Sequence, residues 1–592
     1  MTQYDYIVIT AYFCLLLTVG YFTSKFVSNT SDYFRGGGNM MWWLVGASAF
    51  MVQFSAWTFT GAASAAYNDG WGVVTIYVGN ALGFTINYFY FAARSRQMRA
   101  ITTVEAVRER FDKFSQQFYT WLSIPLGVVG GSGWLFGLCL FISISFDIQL
   151  EMAIIITGSI VITSTLLGGS WASSSNDFVQ LLVMVPVTIV AAVFAMDAVG
   201  GPSGFVEKMP EGHLDLSAPF TYGLLGFWML SNLARQMVNC NNLIESGRYL
   251  AVKNSQHARK AAALAAILSY IGPVIWFIPP LAAAILYPDI GSMFPELNNP
   301  EEAAYIAVAL DYLPMGMMGL MICAMLGATV SCMDTGLNRN AGIFVRNFYL
   351  PVLRPNASEK ELMLASRLTT IFLGALIIGC ALALANIKSF GLFELVQWMG
   401  SMVAFPMTIP LALVIFTRKA PSWAAWTTTL VGFTTSICVA NFLNVDWLAD
   451  MLGRELTETE RRNWIPSFGL FANLTTCGSW FFFTMRFWNR MPEKRRQEIE
   501  AFNKRMRTPI SEEESGCEKT DYKQGLLMGS VAMGFGSFIL LLSLIPNPLS
   551  GRIAFLFCGG VVLGIGILLR RSSIKLRDRE LISKAQELVS SR

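Results

Sequence analysis

The sequence predicts an all-helical integral membrane protein, and three observations carry that reading. Hydrophobic residues make up 54% of the 592-residue chain and charged residues only 14%, too few to solvate the surface of a soluble protein of this size. Apolar stretches of about 20 residues, the length that crosses a hydrocarbon core of roughly 30 Å, recur from one end to the other. The basic residues are also segregated: 36 of the 43 fall in alternate connecting segments, six in the others, and one, Arg235, inside an apolar stretch.

In chain order the stretches are 6–24, 41–66, 71–93, 118–144, 149–168, 177–199, 219–245, 261–287, 312–336, 368–386, 392–417, 422–443, 466–485, 524–546 and 553–569, fifteen in all. The first follows Met1–Asp5, which has no basic residue, and reads as a permanent span rather than a cleaved signal. Placing the N-terminus outside puts the Lys- and Arg-rich segments inside. Fifteen crossings then leave the C-terminus inside. Residues 1–40 form an accessory helix and loop. The second to sixth stretches (41–199) and the seventh to eleventh (200–417) are two five-helix blocks. Five is odd, so the blocks enter from opposite sides as an inverted repeat. Residues 418–592 add about four more helices, with a basic loop at 486–523 whose run Glu493-Lys494-Arg495-Arg496 reads as an amphipathic helix lying on anionic lipid. The first helix of each block is unusually polar. Gln53, Ser55, Thr58 and Thr60 interrupt 41–66, and Asn232, Arg235, Gln236, Asn239, Asn241 and Asn242 interrupt 219–245. Neither can face lipid all round, and in inverted repeats such helices are broken near the bilayer midplane, where freed backbone groups meet solutes.

Several function classes fall away. His213 and His257 lie in loops, leaving no histidine for an intramembrane metal centre or proton relay. The ten cysteines show no disulfide or zinc spacing; Cys517 alone sits in a charged loop. No nucleophile elbow or phosphate loop points to an enzyme, and no filter-like repeat points to a channel. Basic and acidic residues nearly balance, which gives nucleic acid no patch to bind. The 23 residues after Leu569 are too few for a signalling domain, which argues against a sensor.

Three strings carry a family likeness. Ser31-Asp32-Tyr33-Phe34 with Gly36-Gly37-Gly38 and Trp42-Trp43-Leu44-Val45-Gly46-Ala47-Ser48 resembles the approach to the first core helix of the sodium:solute symporter family. Gly168-Gly169 followed by Asp177-Phe178-Val179-Gln180 is similar to its fifth core helix. Ala328-Thr329-Val330-Ser331-Cys332 with Leu337-Asn338 and Ile343-Phe344 resembles its eighth. Together they cover roughly residues 1–420. The resemblance implies a LeuT-type fold, sodium as the coupling ion with no other cofactor, and a small organic solute as cargo. It also implies a multi-pass protein of the plasma (inner) membrane.

Ala328, Ser331, Cys332 and Thr335 are spaced i, i+3, i+4 and i+7 and share one helix face. That face can hold a cation, or can simply let helices pack closely. The resemblance assigns a main sodium site to Ala328, Ser331 and Cys332, joined by carbonyls of Met51 and Phe54 at the break of the second stretch. It assigns a second cation site to Asp177, Asp334 and Thr335, with Ser331 shared. Two other readings stand: Asp177 follows Ser173-Ser174-Ser175-Asn176 and can be a helix-start acid, and Asp334 can pair with Asn338 one turn on. The two acids also make proton coupling the rival to sodium. For the solute, the family's sugar-binding positions fall on Gln53, Trp57, Thr58, Tyr77, Asn80, Arg235, Val238, Cys240, Ser269 and Gln397, and only Gln397 matches, which disfavours a hexose. Of these, Gln53, Trp57, Thr58, Tyr77, Arg235 and Gln397 are the expected substrate residues. Arg235 can grip a carboxylate, or can pair with an acid such as Glu394; Trp57 and Trp398 can stack on a ring, or serve packing.

Overall fold

A computed structural model describes residues 2–25, 30–215, 222–295, 297, 299–386, 392–456, 458–510 and 521–590, so Cys517 and Lys388 lie outside the described residues, as does the side chain of Glu394. Among these residues the chain is helical throughout, with one isolated backbone bridge between Met40 and Val252. Each of the fifteen apolar stretches falls on one or more helices. Among the described residues, nine helices are long and apolar enough to cross a membrane unaided, or ten if the bent pair Ala424–Phe442 and Val445–Leu452 counts as one span. The shortfall from fifteen has a physical cause. Some expected spans are cut by breaks, as in 41–66, and others are diluted by polar groups that the protein interior satisfies, as in Tyr222–Cys240.

The second stretch is broken as its composition predicts. Trp42–Met51 ends, Val52–Ser55 leave the helix, and Ala56–Phe59 and Gly61–Asp69 resume it. The seventh gives way at Cys240 to turns and a 3-10 segment, Glu245–Ala251. Around these sit Val74–Ile86, Leu150–Ala198, Ser255–Trp276 and the largely buried Met317–Phe344.

The fifth and sixth stretches depart from expectation. Residues 170–176 are not a loop: two helices, Leu150–Leu166 and Gly169–Ala198, meet at a kink at Gly169, whose φ of 53° and ψ of −141° belong to a region open essentially to glycine alone. A Cβ there would lie 2.5 Å from the Tyr33 carbonyl oxygen. Asp177 therefore sits two turns inside a helix, and the helix-start reading of that acid fails. The two C-terminal helices, Asp521–Leu541 and Leu549–Ser590, pack through glycines; a Cβ on Gly536 would come 2.5 Å from the Leu563 amide nitrogen.

The basic loop also differs. Glu493–Arg505 buries Ile499 and Phe502 against protein, the latter in a cluster with Phe111, Tyr119 and Phe481. Arg495 donates from Nε to the Phe111 carbonyl at 2.9 Å and from Nη2 to the Glu109 carbonyl at 2.9 Å, closing the carboxyl end of Thr103–Arg110. Its apolar face is consumed by protein and is not free to lie on lipid. The periodicity of 493–505 identifies an apolar face but not the surface that covers it.

Candidate functional site

The break at 52–55 frees backbone groups, and Met317–Phe344 lies against them. Thr329 Oγ1 accepts the Ala56 amide at 3.0 Å, satisfying the first donor of the resumed helix. One turn along, the Cys332 thiol faces three carbonyl oxygens: Met51 at 3.5 Å, Val52 at 3.4 Å and Phe54 at 3.6 Å. A thiol carries one hydrogen and can satisfy one acceptor at a time, so the three carbonyls form a patch of converging negative partial charge. Beside it the Ser331 hydroxyl is buried with no hydrogen-bond partner. Ala328 is fully buried on the same face. The structure thus gathers Met51, Phe54, Ser331 and Cys332 as expected, with Ala328 on their helix, and adds Val52.

Asp177 is fully buried from the other side of this group, and neither carboxylate oxygen has a hydrogen bond of ordinary geometry. The hydroxyls of Ser331 and Ser48 face it, with the Arg248 guanidinium farther off. Thr335 lies one turn on, its hydroxyl 3.1 Å from that of Ser173. Asp334 is occupied differently: Thr165 donates a short hydrogen bond to one oxygen and Ser164 donates to the other at 3.2 Å. Asn338 is not its partner; that amide donates to the Tyr33 carbonyl at 3.3 Å. Among the expected second set, Asp334 has hydroxyls in hydrogen-bond geometry on both oxygens, whereas Asp177 is faced by the Ser331 and Ser48 hydroxyls without such a bond being closed.

The expected solute residues form two groups. Thr58 accepts from the Tyr77 hydroxyl at 2.7 Å, and the Tyr77 ring packs on Phe277 and Trp276. Arg235 donates from Nη2 to Gln397 Oε1, while the Gln397 amide donates to Asn232 at 3.2 Å. Trp57 stacks on Phe393, with ring centroids 5.8 Å apart and planes 10° from parallel, which brings the helix carrying Gln397 to the break. Gln53 lies within the break, partly exposed. Trp398 is 39% exposed, as suits an outer-surface residue.

A cavity of about 100 Å³ reaches this region from one side. Its walls include Ser48, Ser173, Thr335, Glu245, Arg248 and Arg339. Glu245 bridges Arg248 at 3.1 Å and Arg339 at 2.5 Å, and Arg248 also donates to the Ala49 carbonyl at 2.7 Å, just ahead of the break. Sequence reasoning missed Arg248, which counts there only as one more basic loop residue. It also missed the capping role of Thr329, a hydroxyl within an apolar helix and so open to the test applied to Thr58. The Val52 carbonyl left no signal, because it acts through backbone alone.

The profile of the sodium:solute symporter family matches residues 33–432. The chain belongs to that family. The symporter is 26% identical over 491 residues to sodium/myo-inositol cotransporter 2 of Bos taurus, covering 76% of this chain and 72% of that one. It is also 26% identical over 471 residues to sodium/glucose cotransporter 2 of Rattus norvegicus, covering 70% and 68%. Among solved structures, a sodium-coupled sialic acid symporter in a substrate-bound outward-open state aligns with a TM-score of 0.64 at 22% identity, over 81% of this chain and 98% of that one; this establishes the shared LeuT-type fold. The symporter is therefore a multi-pass membrane transporter and not an enzyme, and its family and relatives support sodium as the coupling ion. A small organic solute is its cargo class.

Proposed function

We propose that this symporter takes up its solute by alternating access, with sodium held between the break at 52–55 and the face of Met317–Phe344. The observation that carries the reading is the convergence of the Met51, Val52 and Phe54 carbonyls on Cys332 beside the partnerless hydroxyl of Ser331. A hard monovalent cation needs several oxygens in place of water, and a buried hydroxyl without a partner is a rare expense in a native interior. Asp177, with Ser331, Ser48 and the Ser173–Thr335 pair, supplies a second cation position on the path of the cavity. In this reading the cavity is the inward vestibule, since Ile101, Thr102 and Thr103 at its mouth belong to a segment expected inside. The opposite side is closed by the aromatic packing of Phe54, Phe59, Trp276 and Tyr305. The remaining topology follows the charge distribution: fifteen spans in a five-plus-five inverted repeat, N-terminus outside, in the plasma (inner) membrane.

The test is uptake of labelled sugars, amino acids and carboxylates into proteoliposomes with and without a sodium gradient. Sodium should drive accumulation of at least one class. Ser331→Ala should raise the sodium concentration for half-maximal uptake about tenfold or more, the consequence of losing a contact to a charged group worth about 1.5–3 kcal/mol. An unchanged sodium dependence in that variant would place the cation elsewhere.

A further inference from the structure

Arg235 presents a problem that its own protein partners do not solve. The side chain is 4% exposed, in the polar helix Tyr222–Cys240 of the second block. A cation buried at such depth without a countercharge is costly, and buried charges are held by opposite charges or ligands. Among the described residues no carboxylate pairs with this guanidinium. Its one side-chain partner is the neutral Oε1 of Gln397, and Nε is buried with none.

The surrounding polar groups orient Arg235 without neutralising it. Gln397 donates to Asn232 Oδ1 at 3.2 Å, and Asn232 donates to the Trp228 carbonyl at 3.0 Å. That chain of donors turns the Gln397 oxygen toward Nη2. Nε–H, which shares an edge of the planar guanidinium with Nη2, has no partner, and that edge is the one able to meet both oxygens of a carboxylate. Gly400 makes room on the other side: a Cβ there would stand 2.9 Å from Nη1. The helix Leu392–Met399, which carries Gln397, also carries Phe393, which stacks on Trp57 just after the break, so the helix that braces Arg235 packs against the resumed half of the broken helix.

We propose that Arg235, braced by Gln397 and Asn232, receives the carboxylate of the transported solute, so that the cargo is a small organic anion or zwitterion and not a neutral polyol. This rests on the reading of the chain as a sodium-coupled carrier of an organic solute. A sodium ion and a carboxylate entering together also bring opposite charges into the membrane, which lowers the electrostatic cost of occupying both positions.

The experiment uses the full chain in lipid nanodiscs and matched probe pairs that differ at the carboxylate: D-glucuronate and D-glucose, L-lactate and propane-1,2-diol, L-proline and L-prolinamide. Binding is measured in sodium chloride and in choline chloride. In sodium, at least one carboxylate should bind, with its neutral or amidated counterpart at least about tenfold weaker. Arg235→Lys keeps the charge but loses the planar edge, and should weaken that carboxylate about tenfold or more. Gly400→Ala, which displaces Nη1, should act in the same direction. A wild type that binds no carboxylate, or binds the counterpart as tightly, overturns the proposal. Carboxylate binding that is strong and indifferent to sodium leaves Arg235 in its role and sinks the coupling reading instead. Arg235→Gln addresses a purely structural role: if it fails to fold and Glu394→Gln restores it, the guanidinium is an ion-pair partner and the assignment is wrong.

Discussion

Asp177 and Asp334 show how much a residue's chemistry depends on which neighbours reach it. Both are fully or almost fully buried acids within apolar helices, and composition alone makes both candidates for a cation. Ser164 and Thr165 donate to Asp334, so its charge is met by hydroxyls from the half-helix ahead of the Gly169 kink. Asp177 closes no hydrogen bond of ordinary geometry and is faced by the hydroxyls of Ser331 and Ser48, which a bound cation could share with it. Asp177→Asn should therefore raise the sodium requirement of transport about tenfold or more, whereas Asp334→Asn should leave that requirement within about threefold while lowering thermal stability, since a buried hydrogen-bonded charge is being rebuilt. Sodium titration of uptake, run beside a melting curve for each variant, separates the two. A larger coupling defect in Asp334→Asn than in Asp177→Asn would reverse the assignment.

The broken helix is the element on which the cation reading turns, and its break is maintained from outside. Polar residues in 41–66 announce an interruption, but Val52–Ser55 would be free to rejoin the helix if nothing held the resumed half. Thr329 holds it by accepting the Ala56 amide, as an N-cap would, although it comes from a helix 273 residues on. Thr329→Val keeps shape and removes the acceptor. It should cost about 1 kcal/mol of stability, the usual worth of a lost cap, and shift the Cys332 carbonyl cluster enough to weaken sodium dependence. Thermal unfolding and sodium titration of the same preparation check both halves. A variant that loses stability without any change in sodium response would make Thr329 a packing residue only. Helix edges are less legible than breaks: 169–176 reads as a loop because Gly168-Gly169 and four polar residues interrupt the apolar run, yet only Gly169 leaves helical geometry and the next helix begins there, two turns before Asp177.

Across the chain, the vestibule ties the site to the orientation read from charge. Its walls come from residues 34–174 and 244–343, and the Arg248–Glu245–Arg339 cluster lines it next to the break. If its mouth faces the inside, a cysteine at Ser174 should react with a membrane-impermeant thiol reagent in inside-out vesicles and stay protected in right-side-out ones, on a background lacking the exposed Cys14 and Cys438 and the loop residue Cys517. Saturating sodium should slow that labelling several-fold by filling the path above it. Equal labelling from the outside would invert the topology drawn from Lys and Arg.

Class, the charge asymmetry, the family and the face shared by Ala328, Ser331, Cys332 and Thr335 were all readable in the chain, because each depends on periodicity, composition or a local string. The broken helix was readable too, since polar residues in a lipid-length run must be turned toward protein or a cavity, where an interrupted backbone can be satisfied. What required the tertiary structure were the partners: hydroxyls on Asp334 in place of Asn338, Thr329 on Ala56, protein and not lipid over Phe502, and a guanidinium at Arg235 oriented by neutral amides. Each joins residues far apart in sequence, and a side chain's type states what bond it can make without stating which distant group the fold will bring within reach.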